Sequence, residues 1–437
     1  MNSWCRSLIC LALVTLVLGV PASAETVVLF KDVRVFDGVD PKLLKANVLV
    51  EGRKISKISS RAIDAPDGAV VIEGNNRVLS PGFIDLHAHL TFQAPKDAMS
   101  LHPWAVGAIA GKAAEHYLMS GFTSIRDAGG THPDIARIIE SGTIEGPRVF
   151  PSGAVITQTS GHGDFRGPAD AHPMLSGDCV SHYLGNGHSV IADGVPEWLA
   201  GVRENLKHGA TQIKIMGGGG VASDYDPIHT LQPSPEEIRA AVQAASDWDT
   251  YVLAHSYTSE AVTRLVENGV KVIEHGLLID DETARLVAEN DVVISTQVKI
   301  FRMGADLPGM SDENRRKMLE VQAGQDNLIS LVKKYDIKTG FGTDFVFGMY
   351  NRIGEEFTAR AEYFTPAEIM RQATSESAEV IRMAGKLNRY DNFGEIREGW
   401  LADLVLIEGN PMEDISILEN QDNLAVIMKA GRIVKRP

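Results

Sequence analysis

Eight short apolar runs that alternate with helical stretches constrain the fold of this 437-residue chain more than any other feature. The runs are GFIDLH, GFTSIRDAGG, RVFPSGAVIT, ATQIKIMGG, TYVLAHSY, VKVIEHG, DVVISTQV and IKTGFGTDF. Helical segments lie between several of them, including SPEEIRAAVQAASDWD, for which Ser234 is a predicted N-cap, and TSEAVTRLVENG, which ends at Gly269. Repeated strand–helix units predict an α/β protein, and eight of them predict a (β/α)8 TIM barrel over residues 81–388. A doubly wound open sheet is the alternative fold.

The two ends of the chain have a different pattern. The stretches TVVLFKDVRVFDG and ANVLVEGRKISKISS near the start, and ADLVLIEG and NLAVIMKAGRIVKRP near the end, are β-branched runs broken by Gly and Asp-Gly. Such runs are typical of antiparallel strands. Neither end has enough strands for an independent domain, so we expect residues 25–80 and 389–437 to form one small β-sandwich domain together.

Residues 1–24 have the pattern of a secretory signal peptide. Arg6 supplies the positive charge, an apolar core runs from Leu8 to Val20, and Ala22-Ser23-Ala24 is a small-residue cleavage site. The apolar core is short for a transmembrane helix, so a retained membrane anchor is the weaker interpretation. The pattern predicts a secreted or periplasmic protein with no membrane association after the signal is removed.

The charge of the chain limits the classes of partner it can bind, and its cysteine content limits the disulfides it can form. The formal net charge of the chain is −15, which argues against nucleic acid and against an anionic membrane surface as partners. Of the three cysteines, only Cys179 lies outside the signal peptide, so no intrachain disulfide is expected. We therefore expect the fold to depend on its core and on assembly into a homo-oligomer.

Metal-ligating side chains stand at the predicted strand ends. In a TIM barrel the active site lies where the carboxyl ends of the strands meet. Each residue alone has an ordinary structural interpretation, such as a capping Asp or a hydrogen-bonded core His. Six of them at equivalent positions predict a metal site suited to Zn²⁺, with Mn²⁺ or Co²⁺ as chemical alternatives. The six residues are His87, His89, Lys214, His255, His275 and Asp344.

The stretches PGFIDLHAHL, QIKIMGGGG, LAHSY, VIEHG and GTDF together resemble the amidohydrolase superfamily. Within it, the chain is most similar to the branch with a binuclear metal centre, which includes imidazolonepropionase-related, prolidase-like and carboxypeptidase-like members and ochratoxin-hydrolysing amidases. The segment GEIREGWLADLVLIEGNP extends the likeness to the end of the chain.

The resemblance implies two divalent metal ions, of which zinc is the expected one, and a role for each strand-end residue. One metal would be held by His87, His89 and Asp344, and the other by His255 and His275. Lys214 would bridge them as a carbamate formed with CO2. The metals would activate a water, and Asp344 would be the catalytic residue that moves its proton to the leaving amine.

Two glycine-framed loops are candidates for binding the substrate. The stretch TQTSGHGDFRG carries His162 and Arg166, and GGGGVASDYDP carries Tyr225. The resemblance implies that His162 and Tyr225 contact the substrate carbonyl or its carboxylate, which makes His162 a second catalytic candidate. Arg166 is a carboxylate-binding candidate on its charge alone. His182 and His188 are interpreted as loop residues with a structural role or solvent exposure.

The predicted function is that of an exported, metal-dependent amidase or peptidase. Its substrate would be a small N-acyl amino acid or dipeptide, including ochratoxin-type amides, from which it releases the C-terminal amino acid. A cyclic-amide hydrolase of the imidazolonepropionase type is the alternative enzyme. A non-catalytic binding protein on the same fold is the third alternative, although that class loses metal ligands and none of the six is missing here.

Overall fold

The structure, a computed structural model, describes residues 27–94, 101–167, 169–176, 182–307, 310–390 and 392–436. The predicted signal peptide and Cys179 lie outside these ranges. Among the helices within them, none is long and apolar enough to cross a membrane.

The described chain begins with strands that belong to a sheet at one side of the barrel. Hairpin pairing joins β1 to β2 and β2 to β3 in antiparallel fashion, whereas β4 and β5 both lie parallel to β1. The predicted antiparallel pattern therefore holds for the hairpins and not for these two pairings. The five strands are β1 (Val27–Val35), β2 (Leu44–Glu51), β3 (Lys54–Ser59), β4 (Val70–Glu73) and β5 (Val78–Pro81).

The predicted barrel is present, with eight strand units in chain order. Its third unit is divided into two short pieces, and one additional strand, β10, pairs with the second piece. The strands are β6 (Phe83–Ala88), β7 (Phe122–Asp127), β8 (Arg148–Pro151), β9 (Val155–Thr157), β10 (Ser189–Ile191), β11 (Ile213–Met216), β12 (Val252–Thr258), β13 (Val272–Leu278), β14 (Val293–Thr296) and β15 (Thr339–Phe341). Their pairings within the barrel are parallel, in the sheet orders β6-β7-β8 and β9-β11-β12-β13-β14-β15.

The last barrel unit returns to the first, which excludes the open sheet. The Asp344 N–H donates to the carbonyl of His87 at 2.8 Å, and Thr343 Oγ1 donates to the Asp85 carboxylate at 2.7 Å. These bonds join the chain after β15 to β6. Ile213, Val252 and Ile273 are among the fully or almost fully buried residues of the large core around the barrel.

Helices cover the strands and begin where the sequence predicts. Ser234 and Glu237 form a complete capping box, and the helix from Ser259 ends just before Gly269, whose φ is +94°. The helices are α1 (Pro103–Met119), α2 (Asp134–Glu140), α3 (Pro173–Ser176), α4 (His182–Gly185), α5 (Val195–His208), α6 (Pro235–Ser246), α7 (Ser259–Glu267), α8 (Asp281–Glu289), α9 (Lys299–Met303), α10 (Asp312–Gln322), α11 (Gln325–Lys334), α12 (Glu355–Arg360), α13 (Pro366–Arg371) and α14 (Ser377–Arg382).

Strands from the end of the chain complete the sheet that β1 begins. They are β16 (Leu404–Ile407), β17 (Leu424–Lys429) and β18 (Arg432–Lys435), and β16 pairs antiparallel with β5. All eight strands are hydrogen-bonded into one sheet with its own apolar core, as predicted for the two chain ends together. A buried ion pair between Arg148 and Asp403, 2.7 Å long, ties this sheet to barrel strand β8.

Candidate metal centre and active site

His87 and His89 lie at the carboxyl end of β6 and face the same space. Successive strand residues point to opposite sides, so Ala88 turns away and the two imidazoles come together. Their Nε2 atoms are 3.1 Å apart, and both side chains are buried. The strand thus presents two ring nitrogens at one point, as the HAH spacing predicts.

Asp344 enters this space from the chain that follows β15. Its Oδ1 lies 3.3 Å from the Nε2 atoms of both His87 and His89. Its backbone is in the left-handed region, with φ at +53°, a conformation that costs energy for residues other than glycine and that Asp tolerates better than most. The bond from Asp344 N–H to the His87 carbonyl holds the backbone in that position.

His275 reaches the same point from β13. Its Nε2 is 4.0 Å from Asp344 Oδ2, and His87, His275 and Asp344 offer ligand atoms that all lie within 4.8 Å of one another. Burial lowers the pKa of His275 to about 3, and its Nδ1 is 2.8 Å from Gln297 Oε1. A neutral imidazole that donates from Nδ1 keeps the lone pair on Nε2, the form that binds metals.

His255 lies at the edge of this group, on β12. Its ring centroid is 4.8 Å from that of His275, and its Nε2 is 3.2 Å from the carbonyl oxygen of Gly219. Burial and the neighbouring histidines hold its pKa well below the usual value, so the ring is neutral. The structure therefore brings His255 against His275 but orients its Nε2 to the loop after β11.

Lys214 is buried on β11, with 2% of its surface exposed. Burial lowers its pKa to about 8, although Glu274 and Asp344 act in the opposite direction. Its Nζ makes no hydrogen bond or ion pair with any residue that the structure describes. The amine of Lys214 is therefore not committed to another group of the described chain.

Glu274 and Arg126 form a buried pair behind His87 that the sequence analysis missed. Glu274 Oε2 is 2.6 Å from His87 Nδ1, and its other oxygen accepts from Arg126 at 2.5 Å. Arg126 also donates to the carbonyl of Leu86. The sequence VIEHG does show an acid, Glu274, directly before His275. Strict alternation along a strand, however, predicts that two successive residues point to opposite faces, which would place Glu274 away from the histidines. The left-handed backbone of His275, with φ at +76°, ends that alternation.

These carboxylates favour positive charge within the cluster. Burial alone would lower the pKa of His87, but Asp344 and Glu274 outweigh it and raise that pKa. Burial alone would raise the pKa of Asp344, but His87, His89 and His275 hold it well below its usual value. The cluster therefore stabilises a cation at the point where the ring nitrogens and the Asp344 carboxylate converge.

The loop residue His162 packs directly on this cluster. Its ring stacks on that of His255 with centroids 4.1 Å apart, and its Nδ1 is 2.6 Å from Ser223 Oγ. The backbone N–H of His162 donates to Gln232 Oε1 at 3.0 Å. Of the predicted substrate-side residues, His162 is therefore the one that the structure places beside the metal candidates.

Arg166 and Tyr225 lie in the same two loops with different surroundings. Arg166 makes two hydrogen bonds to the Asp164 carboxylate, at 2.7 and 2.6 Å, so its guanidinium already has an anionic partner. Tyr225 is 52% exposed, and its hydroxyl forms no hydrogen bond within the described part of the chain. Its loop approaches the other at Ser160, whose hydroxyl donates to the Tyr225 carbonyl.

The two remaining loop histidines differ in their placement. His188 is buried just before β10, donates from Nδ1 to the Gly130 carbonyl at 2.7 Å and packs on Phe92. It has the structural role that was one of the two expectations. His182 begins α4, and its side chain lies outside the described residues.

The donor set fits divalent metal ions. The Nδ1 atoms of His87, His89 and His275 each face an oxygen: Glu274 Oε2, the Gly129 carbonyl and Gln297 Oε1. Such contacts fix the ring orientation and direct Nε2 toward the metal position in histidine-ligated sites. Imidazole nitrogens with one carboxylate are ligands that suit Zn²⁺ and related ions.

Known proteins resemble this chain over most of its length. A family model described as the amidohydrolase family matches residues 78–434. A relative named ochratoxinase, from Aspergillus niger, is 30% identical over 373 residues, which cover 82% of this chain and 76% of the relative.

Solved structures agree with the sequence match. The crystal structure of an amidohydrolase is 37% identical, with a TM-score of 0.86, and the match covers 94% of this chain and 100% of the other. The crystal structure of a prolidase complexed with N-methylphosphonate-L-proline is 34% identical, with the same TM-score and coverage.

Proposed function

This chain belongs to the amidohydrolase family and is a hydrolase that acts on carbon–nitrogen bonds, and from that premise we propose a substrate class for it. The proposed substrates are N-acyl amino acids or dipeptides, from which the enzyme releases the C-terminal amino acid. The relatives named ochratoxinase and prolidase support this class, because they share the fold and most of the chain length.

The observation that carries the proposal is the convergence of His87, His89 and Asp344. The Nε2 atoms of His87 and His89 and the Oδ1 atom of Asp344 lie within 3.3 Å of one another. We propose that these residues hold one divalent ion and that His255 and His275 hold a second. The expected metal is zinc.

Lys214 is proposed to be the bridge between the two ions as a carbamate formed with CO2. The support is its position: a buried lysine beside Glu274 and Asp344, whose amine has no acceptor in the described part of the chain. A carbamate would replace a repelling ammonium by a single anion with two oxygen atoms that can bind metal. Bound there, the two ions would supply Lewis acidity toward the scissile carbonyl and would lower the pKa of a water.

The residues of the chain move the protons of the reaction. As the water oxygen forms its bond to the carbonyl carbon, Asp344 takes the water proton on a carboxylate oxygen. When the carbon–nitrogen bond breaks, Asp344 returns that proton to the departing amine nitrogen. Its carboxylate is ionised at neutral pH because the three histidines lower its pKa, so it is ready to accept.

His162 is proposed to steady the substrate carbonyl, and Tyr225 and Arg166 its carboxylate. The Nδ1 of His162 is engaged by Ser223, which leaves Nε2 for the substrate. Arg166 keeps donor atoms beyond those that Asp164 uses, since a guanidinium has five N–H groups. A Tyr hydroxyl that donates to a carboxylate forms a charge-assisted hydrogen bond.

The location and assembly of the enzyme are also proposals. We propose that residues 1–24 direct export and that the mature enzyme is a secreted or periplasmic homo-oligomer. Mass determination of the protein purified from a periplasmic or culture fraction tests both points, because it gives the first residue and the size of the assembly.

The substrate proposal is tested with three families of compounds: N-acyl amino acids, Xaa-Pro dipeptides and lactams. We expect the zinc-loaded protein to hydrolyse members of the first two and a chelator to abolish that activity, with recovery on adding Zn²⁺. Hydrolysis confined to lactams would establish the cyclic-amide alternative instead. Full activity in a sample shown to be metal-free would overturn the metal centre.

A further inference from the structure

A lysine on α10 is buried, is not one of the strand-end residues and has no role in the mechanism above. Lys317 is 1% exposed and is among the largest fully buried side chains of the described chain. Its Nζ donates to three main-chain carbonyls, those of Gly220 at 3.1 Å, Ser223 at 2.9 Å and Asp226 at 2.8 Å. All three belong to the loop of residues 217–232 that follows β11.

That loop is the one that touches His162. Ser223 Oγ lies 2.6 Å from His162 Nδ1, and Asp226 Oδ2 lies 3.6 Å from the same nitrogen. Gln232 accepts the backbone N–H of His162 and donates to the Asp226 carboxylate at 3.3 Å. The orientation of the His162 ring therefore depends on the conformation of this loop.

The loop runs so close to His162 that only glycine fits at the contact. A Cβ on Gly220 would lie 1.9 Å from His162 Nδ1, well inside van der Waals contact. The Gly220 N–H donates to Asp226 Oδ2 at 2.7 Å, and its carbonyl accepts from Lys317. Gly220 is thus held at both its backbone N–H and its carbonyl.

We propose that Lys317 is a positioning residue that holds the loop of residues 217–232, and through Ser223 and Asp226 the ring of His162, in the geometry needed to bind substrate. This inference rests on the proposed function for the role of His162. It makes α10, which carries none of the predicted site residues, part of the active-site architecture.

The chemistry of the contact explains why a lysine stands at this position. An ammonium has three N–H donors, and three carbonyl oxygens accept here, with the Asp226 carboxylate 3.5 Å away as the opposite charge. A buried ammonium is tolerated only when it is paired and hydrogen-bonded in this way. An arginine is longer and planar, and an apolar residue would leave three buried carbonyls without donors.

The test compares Lys317→Met with Arg316→Met, which removes an exposed cation at the preceding position of the same helix that pairs with Glu313. We expect Lys317→Met to lower kcat/KM by about 100-fold, mostly through kcat, because an ångström-scale displacement of a reacting group has that effect. Bound metal, measured by mass spectrometry of the elements, should stay at the wild-type level. Arg316→Met should match the wild type in both measurements.

A double-mutant cycle distinguishes positioning from general damage. In a His162→Ala background, Lys317→Met should cost less than about threefold more, since residues that act as one unit are non-additive. Ser223→Ala removes only the hydroxyl that contacts His162, so it can replace Lys317→Met in the cycle if that variant folds poorly. In the His162→Ala background, Ser223→Ala should likewise cause less than about a threefold further loss of kcat/KM. An undiminished loss in the His162→Ala background would overturn the inference.

Hydrogen exchange gives a measurement independent of catalysis. In metal-free and metal-loaded protein alike, Lys317→Met should accelerate exchange of the Gly220 and His162 amides, while the amides of β12 and β13 keep their protection. Unchanged exchange at Gly220 would show that Lys317 does not hold the loop of residues 217–232. If the wild type hydrolysed none of the compounds, the proposed function would fail, whereas accelerated exchange would still uphold the contact that Lys317 makes.

Discussion

The strand-end cluster of His87, His89, His275 and Asp344 consists of residues predicted to bind metal. The loop wall, formed by residues 158–167 and 217–232, contains the residues predicted to bind substrate. In the cluster, ligand atoms from β6, from β13 and from the chain that follows β15 lie within a few ångströms of one another. In the loop wall, His162 stacks on His255, the neighbour of His275, whereas Arg166 is paired with Asp164 and Tyr225 is half exposed.

The difference shows what fixes a side chain in each region. Strand ends are held by parallel ladders and by bonds between neighbouring strands, such as the one from Asp344 N–H to the His87 carbonyl. Loop residues are held by individual side-chain contacts, so their positions follow from partners such as Ser223 and Lys317. The predictions below test whether function is divided in the same way, strongest at the strand ends and weakest at the exposed loop position.

The largest effect is expected at Asp344. Asp344→Asn keeps the shape and tolerates the left-handed backbone, but it removes the proton acceptor and an anionic ligand, so kcat/KM should fall by at least about a thousand-fold. Asp336→Asn is the control, since Asp336 also has a positive φ, at +50°, and lies in the turn before β15. Steady-state kinetics on an N-acyl amino acid measures both. A loss below tenfold would contradict the role of Asp344.

Among the loop residues, His162 is the one whose replacement is expected to reduce activity most. His162→Ala should lower kcat by about 100-fold and raise KM much less, because a donor to the developing oxyanion acts mainly in the transition state. Metal content should not change. A rise in KM with kcat unchanged would show that His162 binds substrate without stabilising the transition state. The loop wall would then contribute to binding alone, and the strand-end cluster to catalysis.

Glu274 tests whether the cluster depends on its buried support. Glu274→Gln removes the charge that accepts from His87 Nδ1 and faces Arg126, so zinc affinity should fall by about 10- to 100-fold. Competition with a chromophoric chelator measures it, with the exposed Glu289→Gln as control. Unchanged affinity would show that the strand geometry alone is sufficient.

The smallest effect is expected at Tyr225. Tyr225 is half exposed, and water competes for a hydrogen bond at such a position. The bond to a substrate carboxylate should therefore be worth about 0.5–1.5 kcal/mol, and Tyr225→Phe should lower kcat/KM by roughly tenfold or less. A substrate whose carboxylate is blocked as an amide should show no loss, and Tyr335→Phe should be silent with both substrates. Equal losses for free and blocked substrates would exclude carboxylate recognition by Tyr225.

The fold and the strand-end cluster were predictable because both follow from periodicity. The spacing of His87 and His89 places both on one face of a strand, and parallel strands bring their carboxyl ends together. Glu274 was missed because the left-handed backbone at His275 breaks the alternation on which the prediction depends. Lys317 was missed because its partner Gly220 is 97 positions away in the sequence, and no periodic pattern links a helix residue to a loop.

The pairing of β5 with β16 determines the order in which the molecule can assemble. Strand β5 leads through Gly82 directly into β6, which carries His87, while its neighbour β16 is synthesised only after the whole barrel. Closing so long a loop is slow and entropically costly, so the edge of β5 stays unpaired during most of synthesis. The strand that leads directly into the strand of His87 and His89 therefore gains its last neighbour only when the chain is nearly complete.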